Sequence, residues 1–447
     1  MKSIPGRTHL HVSARQVPEK RRHHIAVKFS MLALMGVAVT MVNADETPKS
    51  KVPRICMTEY HGFRHHSLEQ IRKRFDYYRK LGVDMIRIGV DWLDRKPMVS
   101  ALKEYPFRIK LILPVMWLPR EYREKYPDGA MIDEHGKADK HFGPWSPAFT
   151  ETTYRTGRRH LQRVIRSGLS QRVEEVVVDL GPACEPIYPA NWTLKRKGEE
   201  AFWCYSALAQ KSFRETMQKK YSSIEKANDA WRLKGAQRFK DWESVTIPKP
   251  RTSWAKGPFW NDMLTWYRDS KRRMIINRIE QTQKLVKEFL RPGVKCIVYL
   301  PGHAYTQGDW NRAVREASGP PSIRLMMDND WLMKEAVKRG CLLQYTGVEN
   351  AYEVRNIVRK LKAMGSDAYK WMWGENAGLE RCGRKPMHLA QVITENELRG
   401  IDYTWCNWIF EEDGVTPNKI FSEFAAAVKL IRQRDSEYRN GYPVNLH

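Results

Sequence analysis

The stretch that decides the fold is Val173–Glu185, which reads Val-Glu-Glu-Val-Val-Val-Asp-Leu-Gly-Pro-Ala-Cys-Glu. Its β-branched first half predicts a buried strand, and the Gly-Pro step predicts where that strand ends. Glu185 therefore stands where a strand opens into a loop rich in proline and aromatic residues. A single carboxylate at such a position is typical of a barrel that cleaves sugars. A loop cap or an ion pair with a neighbouring Lys or Arg is the simpler alternative.

The same alternation of strand and helix patterns runs along most of the chain. Each of eight strand-like runs is followed by apolar residues at helical spacing, as in Ser67–Leu81. Eight such units require a parallel sheet and predict an α/β fold, the (β/α)8 TIM barrel. A doubly wound open sheet is the alternative, but no Gly-rich dinucleotide-binding loop follows the first strand. The predicted strands are Pro53–Tyr60, Val83–Val90, Arg108–Val115, Val173–Asp179, Val294–Leu300, Cys341–Tyr345, Ala368–Trp373 and Ile401–Ile409.

Two segments stand out from this pattern. Residues 186–262 follow the fourth strand and are too long for a plain connection, so we expect an insertion over the barrel mouth. Residues 1–44 look like an export signal, because basic residues precede the apolar run Met31–Val42 and a small-residue cleavage site ends at Ala44. That run is too short to span a bilayer. We therefore expect cleavage near Ala44, a catalytic barrel domain over residues 45–447 without a membrane span, and a secreted or periplasmic location.

The charge balance is strongly basic, with a formal net charge of +26. Removing residues 1–44 takes away seven basic residues and one acidic residue, which leaves +20. Such a field favours polyanions and points to an anionic polysaccharide as a partner. The cations are scattered over predicted helices without a nucleic-acid-binding motif, so no specific nucleic-acid partner is expected. The seven cysteines lack a C-x-x-C pair and predict buried thiols rather than a zinc site.

Two glutamates are the candidates for catalysis. Barrel enzymes keep their chemistry at the carboxyl ends of the strands, and Glu185 and Glu375 end the fourth and seventh predicted strands, on opposite sides of the mouth. Glycoside hydrolysis needs two carboxyl groups, one to protonate the leaving oxygen and one to attack the anomeric carbon or activate water. We predict that Glu185 is the general acid/base and Glu375 the nucleophile, with Glu349 competing for the second role. For each of them a structural salt bridge is the alternative.

Further side chains at the strand ends would bind the sugar. Trp and Tyr rings stack on sugar rings, and Arg, His and Asn hold hydroxyl groups. No cluster of His and Asp suits a catalytic metal, and no serine elbow is present, so neither a metal nor a cofactor is expected. The predicted substrate-binding residues are Arg87, Trp117, His303, Tyr345, Glu349, Trp373, Asn407 and Trp408.

A set of ordered motifs carries a family resemblance. They are Met85-Ile86-Arg87-Ile88-Gly89 with Trp92, Trp117-Leu118-Pro119, Tyr126-Pro127-Asp128, Asp133-Glu134-His135-Gly136, Ser146-Pro147-Ala148-Phe149, and Lys220-Tyr221-Ser222-Ser223-Ile224 with Asn228 and Trp231. Over most of residues 54–410 they resemble the barrel domain of the family-42 β-galactosidases, within the retaining (β/α)8 glycosidase clan. The resemblance implies β-galactosidase-like cleavage of O-glycosidic bonds by Glu185 and Glu375.

One departure from the family pattern keeps alternatives open. Cys184 stands where the family has an Asn before the acid, so the side chain expected to bond the sugar 2-hydroxyl is missing. Gly181-Pro182-Ala183 and Tyr188-Pro189 around Glu185 instead resemble the strand-4 motif of the β-amylases, which invert. An inverting glucan hydrolase and a barrel that binds carbohydrate without cleaving it are therefore the alternatives. Adhesion of a basic surface to an anionic polymer is the third.

Overall fold

The predicted barrel is confirmed. The computed structural model describes residues 53–116, 120–252, 257–365, 367–376 and 386–439. Eight parallel strands close into a barrel in the order β1-β10-β9-β8-β7-β6-β3-β2, while β4 and β5 form a separate antiparallel hairpin. The strands are β1 Arg54–Thr58, β2 Met85–Gly89, β3 Arg108–Leu113, β4 Ala130–Ile132, β5 Ala138–Phe142, β6 Val173–Val178, β7 Lys295–Leu300, β8 Leu342–Tyr345, β9 Met372–Glu375 and β10 Gly400–Tyr403.

Helices surround the barrel, and their starts follow local signals in the sequence. Ser67 caps α1 with a capping box, and Gly82 ends that helix in the left-handed conformation. The helices are α1 Leu68–Leu81, α2 Lys96–Glu104, α3 Arg120–Lys125, α4 Phe149–Arg166, α5 Asn191–Leu194, α6 Ala207–Tyr221, α7 Ile224–Ala230, α8 Pro258–Phe289, α9 Gln307–Glu316, α10 Pro321–Arg324, α11 Asn329–Lys338, α12 Ala351–Ala363, α13 Pro386–Glu395 and α14 Phe421–Arg439.

Two strands differ from their predicted bounds. The apolar run from Ala368 predicts a strand, but residues Asp367–Trp371 form a 3-10 turn, so β9 begins at Met372. The run from Ile401 predicts a strand to Ile409, but β10 ends at Tyr403. The cause is a left-handed backbone at Trp405, which has φ 68° and turns the chain out of the sheet.

Strand alternation divides the barrel residues into two sets. Outward-facing residues such as Ile86, Leu343 and Ile401 join the main hydrophobic core, while inward-facing Met85, Ile297 and Leu342 form a smaller cluster. Barrel interiors are usually filled by bulky apolar side chains. The interior of this barrel also encloses several charged and polar side chains, namely Arg87, Lys110, Glu175, Gln344 and Asp402.

The segment predicted as an insertion packs into a second core, which it shares with α8, α9 and α10. Residues 186–262 include α5, α6, α7 and the start of α8, and their aromatic side chains join a second hydrophobic cluster. Trp203, Trp231 and Trp260 are buried in this cluster, which accounts for much of the unusual tryptophan content. No helix within the described ranges is long and apolar enough to cross a membrane. Residues 1–44, with the expected cleavage site, lie outside the described part of the chain.

The cysteines agree with the expectation of buried thiols. Cys56, Cys184, Cys204, Cys296, Cys341 and Cys406 are all buried and carry free thiols. Cys382, the seventh cysteine, lies outside the described residues.

Candidate active site

Glu375 ends β9 inside the barrel and is held by donors from three other strands or strand ends. Arg87 Nη1 lies 3.0 Å from Glu375 Oε1, and Thr404 Oγ1 donates to the same oxygen at 2.9 Å. Gln344 Nε2 donates to Oε2. The carboxylate is 8% exposed. These three donors satisfy carboxylate oxygens that burial would otherwise leave without partners.

A second buried carboxylate shares the same cation. Asp402 of β10 lies 3.2 Å from Arg87 Nη1 and 3.2 Å from Lys110 Nζ. Burial raises the pKa of Asp402, but Arg87 and Lys110 outweigh it, so the pKa lies below its ordinary value. Thr58 Oγ1 donates to the other oxygen at 3.0 Å. Arg87 and Lys110 thus lie against Glu375 and Asp402, and Lys110 Nζ is also 3.7 Å from Oε2 of a third buried carboxylate, Glu175.

Lys110 also fixes the orientation of the amide that contacts Glu375. Its ammonium group can only donate, and its Nζ lies 2.9 Å from Gln344 Oε1. The amide nitrogen of Gln344 is thereby turned towards Glu375 and Asp402. This chain of contacts keeps a hydrogen-bond donor, rather than an acceptor, against the Glu375 carboxylate.

Glu185 stands on a loop after β6 in a different environment. Its Oε1 accepts a hydrogen bond of 2.6 Å from Thr346 Oγ1, and part of its surface stays accessible. Burial of the carboxyl group raises the pKa of Glu185 to about 7, the Thr346 hydrogen bond opposes this, and the charge of Glu375 adds to it. A carboxyl group with such a pKa is protonated for part of the time near neutral pH and can act as a general acid.

The acid loop, defined here as residues 179–187, has a tight and strained backbone. Ala183 and Cys184 adopt φ values of 55° and 66°, which cost an L-residue about 1 kcal/mol or more each. A Cβ added to Gly181 would lie 2.2 Å from the Glu185 carbonyl oxygen and 2.5 Å from that of Ile187. Only glycine fits at position 181, because the loop folds back on itself there.

Three of the predicted sugar-binding rings are packed in cores. Trp373 is fully buried inside the barrel, where its Nε1 donates to Glu175 Oε1 at 3.3 Å and Lys110 Nζ lies 3.5 Å from its ring centroid. Trp408 packs against Phe424 in the outer core. Tyr345 faces outward from β8, and its hydroxyl donates to Gly302 O at 3.2 Å. These rings stabilise the walls of the site.

The remaining predicted residues take various places near the strand ends. Arg87 joins Glu375 as described. His303 is exposed after β7, and Asn407 is half-buried in the turn that follows β10. Glu349 is buried after β8, and its carbonyl oxygen lies 3.0 Å from His388 Nε2. Trp117 lies outside the described residues.

The predicted substrate-binding set leaves out an aromatic group that the structure places at the ends of β1, β2 and β10. Trp405 is 41% exposed, and its ring centroid lies 5.4 Å from that of Tyr60 and 5.7 Å from that of His61. His61 in turn stacks on Trp92 at 6.3 Å. Trp405 lies directly after a strand, and this position is the signal that could have identified it. Its left-handed backbone holds it out of the core, where Trp408 packs.

Two other exposed rings lie on helices that follow strands, α5 and α12. Trp192 follows β6 and is 52% exposed, and Tyr352 follows β8 and is 63% exposed. Together with Trp405 they face solvent at the catalytic end of the barrel. In the residues that the structure describes, no group of three or more His, Cys, Asp or Glu side chains is placed to hold a metal ion.

Relatives with known sequences share part of the barrel. A β-galactosidase of Alicyclobacillus acidocaldarius is 25% identical over 162 residues, which make up 36% of this chain and 21% of the relative. A β-galactosidase of Thermus thermophilus is 23% identical over 163 residues, 36% of this chain and 23% of the relative. The chain thus spans about a fifth of the length of these curated relatives.

Solved structures share the whole barrel at low sequence identity. The catalytic domain of a β-amylase from Paenibacillus polymyxa has a TM-score of 0.69 and 17% identity, covering 86% of this chain and 99% of that one. A β-galactosidase from Bacillus circulans sp. alkalophilus has a TM-score of 0.57 and 14% identity, covering 86% of this chain and 56% of that one. At these identities the likeness establishes the fold.

The family itself follows from the match of a family model. The model for glycoside hydrolase family 42, described as β-galactosidase, matches residues 63–299. This range runs from the end of β1 through the acid loop to β7. Because the match spans more than half of the chain, the protein belongs to glycoside hydrolase family 42, the β-galactosidase family.

Proposed function

We propose that the protein is a glycoside hydrolase that cleaves O-glycosidic bonds of a β-galactoside-like carbohydrate. Glu185 is the general acid/base, and Glu375 is the nucleophile. The observation that carries the proposal is the contrast between the two carboxyl groups. Burial raises the pKa of Glu185 to about 7, whereas Glu375 accepts from Arg87, Gln344 and Thr404. One group is suited to give a proton and the other to remain an anion.

The contacts also favour Glu375 over Glu349 for the second role. Arg87 Nη1 lies within ion-pair distance of Glu375, and its own position is fixed by a 2.7 Å hydrogen bond to the Tyr299 hydroxyl. Glu375 and Trp373 are two residues apart in β9 and share the face of the strand that points into the barrel. The Glu375 side chain is therefore directed along the barrel interior toward the mouth.

The exposed rings support a carbohydrate as the substrate. Trp405 and Tyr60 present an aromatic surface beside the Glu375 side of the barrel, because β10 pairs with both β1 and β9. Trp192 and Tyr352 add exposed rings on α5 and α12, the helices after β6 and β8. Apolar rings with polar edges suit the faces and hydroxyl groups of sugars.

The experiment compares two leaving groups on one sugar. In Glu185→Gln, kcat/KM for an unactivated alkyl or phenyl β-galactoside should fall on the order of 10³-fold. The value for the 2,4-dinitrophenyl glycoside should change little, because that leaving group departs without a proton. Glu375→Gln should lower both values by a similarly large factor. Full activity of either variant on the unactivated substrate would overturn the assignment.

The product anomer decides between retention and inversion. Retention is expected from the family, whereas Cys184 in place of Asn and the β-amylase-like loop sequence favour inversion. Proton NMR identifies the anomer of the first product and so distinguishes the two outcomes. If the product is inverted, Glu375 acts as the base for a water molecule. Ring binding on a glycan array without any product would instead support a barrel that binds carbohydrate without cleaving it.

The proposal includes export and a preference for acidic carbohydrate. The basic region, apolar run and cleavage site of residues 1–44 support export, and N-terminal sequencing of secreted or periplasmic protein should find a start near Asp45. The charge of +20 outside that segment supports attraction to anionic polysaccharide. Binding to polygalacturonate should then weaken strongly between low salt and a few hundred millimolar salt, as charge screening requires.

A further inference from the structure

Two cations of α8 contact the acid loop from outside the barrel. Lys271 Nζ donates to Ile187 O at 2.6 Å and lies 3.4 Å from Leu180 O. Arg278 Nη1 donates to Asp179 O at 2.6 Å. The contacts of Lys271 therefore join the two ends of the loop, and Arg278 fixes the point where the loop leaves β6.

Neither cation is in its usual environment. Both are 2% exposed, and in the described part of the chain no carboxylate oxygen lies within ion-pair distance of either. Burial and the nearby Arg278 charge hold the pKa of Lys271 well below its ordinary value. The negative charge of Asp179 offsets only part of the cost of burying these two cations, and an apolar side chain of equal length would avoid that cost. A lysine at this position therefore points to a role beyond packing.

The loop needs such anchors because its own conformation is unfavourable. Ala183 and Cys184 are consecutive residues with positive φ. The internal backbone hydrogen bonds are short-range, from Cys184 N to Gly181 O, from Glu185 N to Pro182 O and from Ile187 N to Glu185 O. Contacts from a separate, long helix supply what these local bonds lack.

We propose that Lys271 is a positioning residue for the acid, holding the ends of the loop together so that Glu185 stands at the scissile bond. Arg278 is the second anchor of the same device. The inference rests on the proposed function, because it takes Glu185 as the proton donor. Lys271 also lies over the ring of Tyr188, 4.8 Å from its centroid, and Tyr188 stacks on Tyr267 of α8 at 4.2 Å. The ring stack restrains the residue that directly follows the loop, while Lys271 joins the two ends of the loop.

The role has a kinetic signature that a general structural role lacks. A shift of about 1 Å in a catalytic group can cost on the order of 10²-fold in rate. If the loop relaxes, only the proton transfer from Glu185 suffers. The loss should therefore depend on the leaving group.

The test measures kcat/KM of Lys271→Met on an unactivated phenyl or alkyl glycoside and on the 2,4-dinitrophenyl glycoside of the same sugar. We expect a loss of about 30- to 100-fold on the first and of less than about threefold on the second. The ratio of the two values is independent of the fraction of folded enzyme. Lys287→Met, an exposed lysine on the same helix, is the control and should leave both values unchanged.

The outcomes separate this role from its alternatives. Equal losses on both substrates, or no loss on either, would overturn it. If Lys271→Met yields no folded protein, Arg278→Met is measured in the same way and must show the same dependence on the leaving group. Glu185→Gln is run alongside. If it shows the dependence and the anchor variants do not, the positioning role fails alone. If it shows none, the proposed function fails as well.

Discussion

The two walls of the mouth hold their carboxyl groups by opposite means. Glu375 is the last residue of a strand and is surrounded by donors from β2, β8 and the end of β10. Glu185 lies on a strained loop and receives one side-chain hydrogen bond, from Thr346. The barrel interior is a network of ion pairs and hydrogen bonds between several strands, while the acid loop is held by contacts from a neighbouring helix.

The difference shows how one fold can give two glutamate side chains different chemical properties. A carboxylate that must stay ionised is stabilised by fixed charges on strands, which cannot relax away from it. A carboxyl group that must exchange a proton needs few donors and a partly apolar surrounding. The first wall depends on charge pairing and the second on backbone geometry, so different substitutions should break each of them.

The largest effect is expected at the charged wall. Arg87→Met leaves Glu375 and Asp402 buried with Lys110 as the remaining cation, which should destabilise the fold by about 3–5 kcal/mol. It should also lower kcat/KM on the order of 10³-fold for both leaving groups. Urea unfolding and initial rates measure the two effects.

Arg72→Met is the matched control for that prediction. Arg72 forms an exposed ion pair with Glu104 at 2.7 Å, and solvent-screened pairs of this kind contribute little to stability. Equal stability losses in the Arg72 and Arg87 variants would contradict the idea that Arg87 compensates buried carboxylates in the interior.

Activity should also depend on the backbone conformation of the acid loop. Gly181→Ala places a methyl group against the carbonyl oxygens of Glu185 and Ile187, so we expect a loss of activity of about 10²-fold and of stability of about 1–3 kcal/mol. Gly302→Ala serves as the control, because its nearest neighbour would be 3.7 Å from the new Cβ. A fully active Gly181→Ala enzyme would show that the loop tolerates displacement.

The pH dependence should report the raised pKa of Glu185. Activity that needs the protonated acid should fall as pH rises through about 7. Since the folded-state pKa is raised, the contribution of Glu185 to stability is present below its ordinary value of 4.5 and lost as pH rises through about 7.

Stability measurements can confirm that sign. Relative to Glu185→Gln, the wild type should lose on the order of 2–3 kcal/mol between pH 4.5 and pH 8. Urea midpoints of the two proteins at both pH values provide the comparison. A difference that stays constant with pH would mean that Glu185 titrates near its ordinary value.

The smallest effect is expected at the rim of the mouth. Trp405→Ala should raise KM by about tenfold, equivalent to ~1.4 kcal/mol, with kcat and stability nearly unchanged because the ring is exposed. Trp371 is 44% exposed at the opposite end of the barrel, just before β9. Trp371→Ala should therefore leave KM unchanged, and equal effects of the two changes would argue against the aromatic surface.

Much of the fold was predictable because it depends on patterns of residues that are close together in the sequence. β-Branched runs such as Val173–Asp179 predict buried strands, and their alternation with helical patterns indicated a parallel sheet before any contact was known. The rule that chemistry lies at the carboxyl ends of strands then selected Glu185 and Glu375. Closer use of the two-residue period would also have placed Trp373 inside the barrel beneath Glu375, since residues i and i+2 share a face.

The sequence by itself determined the strand order along the chain, the insertion after the fourth strand and which carboxyl groups stand at strand ends, because each depends on neighbouring residues. Only the tertiary structure decided what surrounds those groups. Lys110, Gln344 and Asp402 come from three separate strands and meet across the barrel. Lys271 reaches Glu185's loop from a distant helix. Closure of the barrel creates these contacts, and no local pattern records which side chains will meet across it.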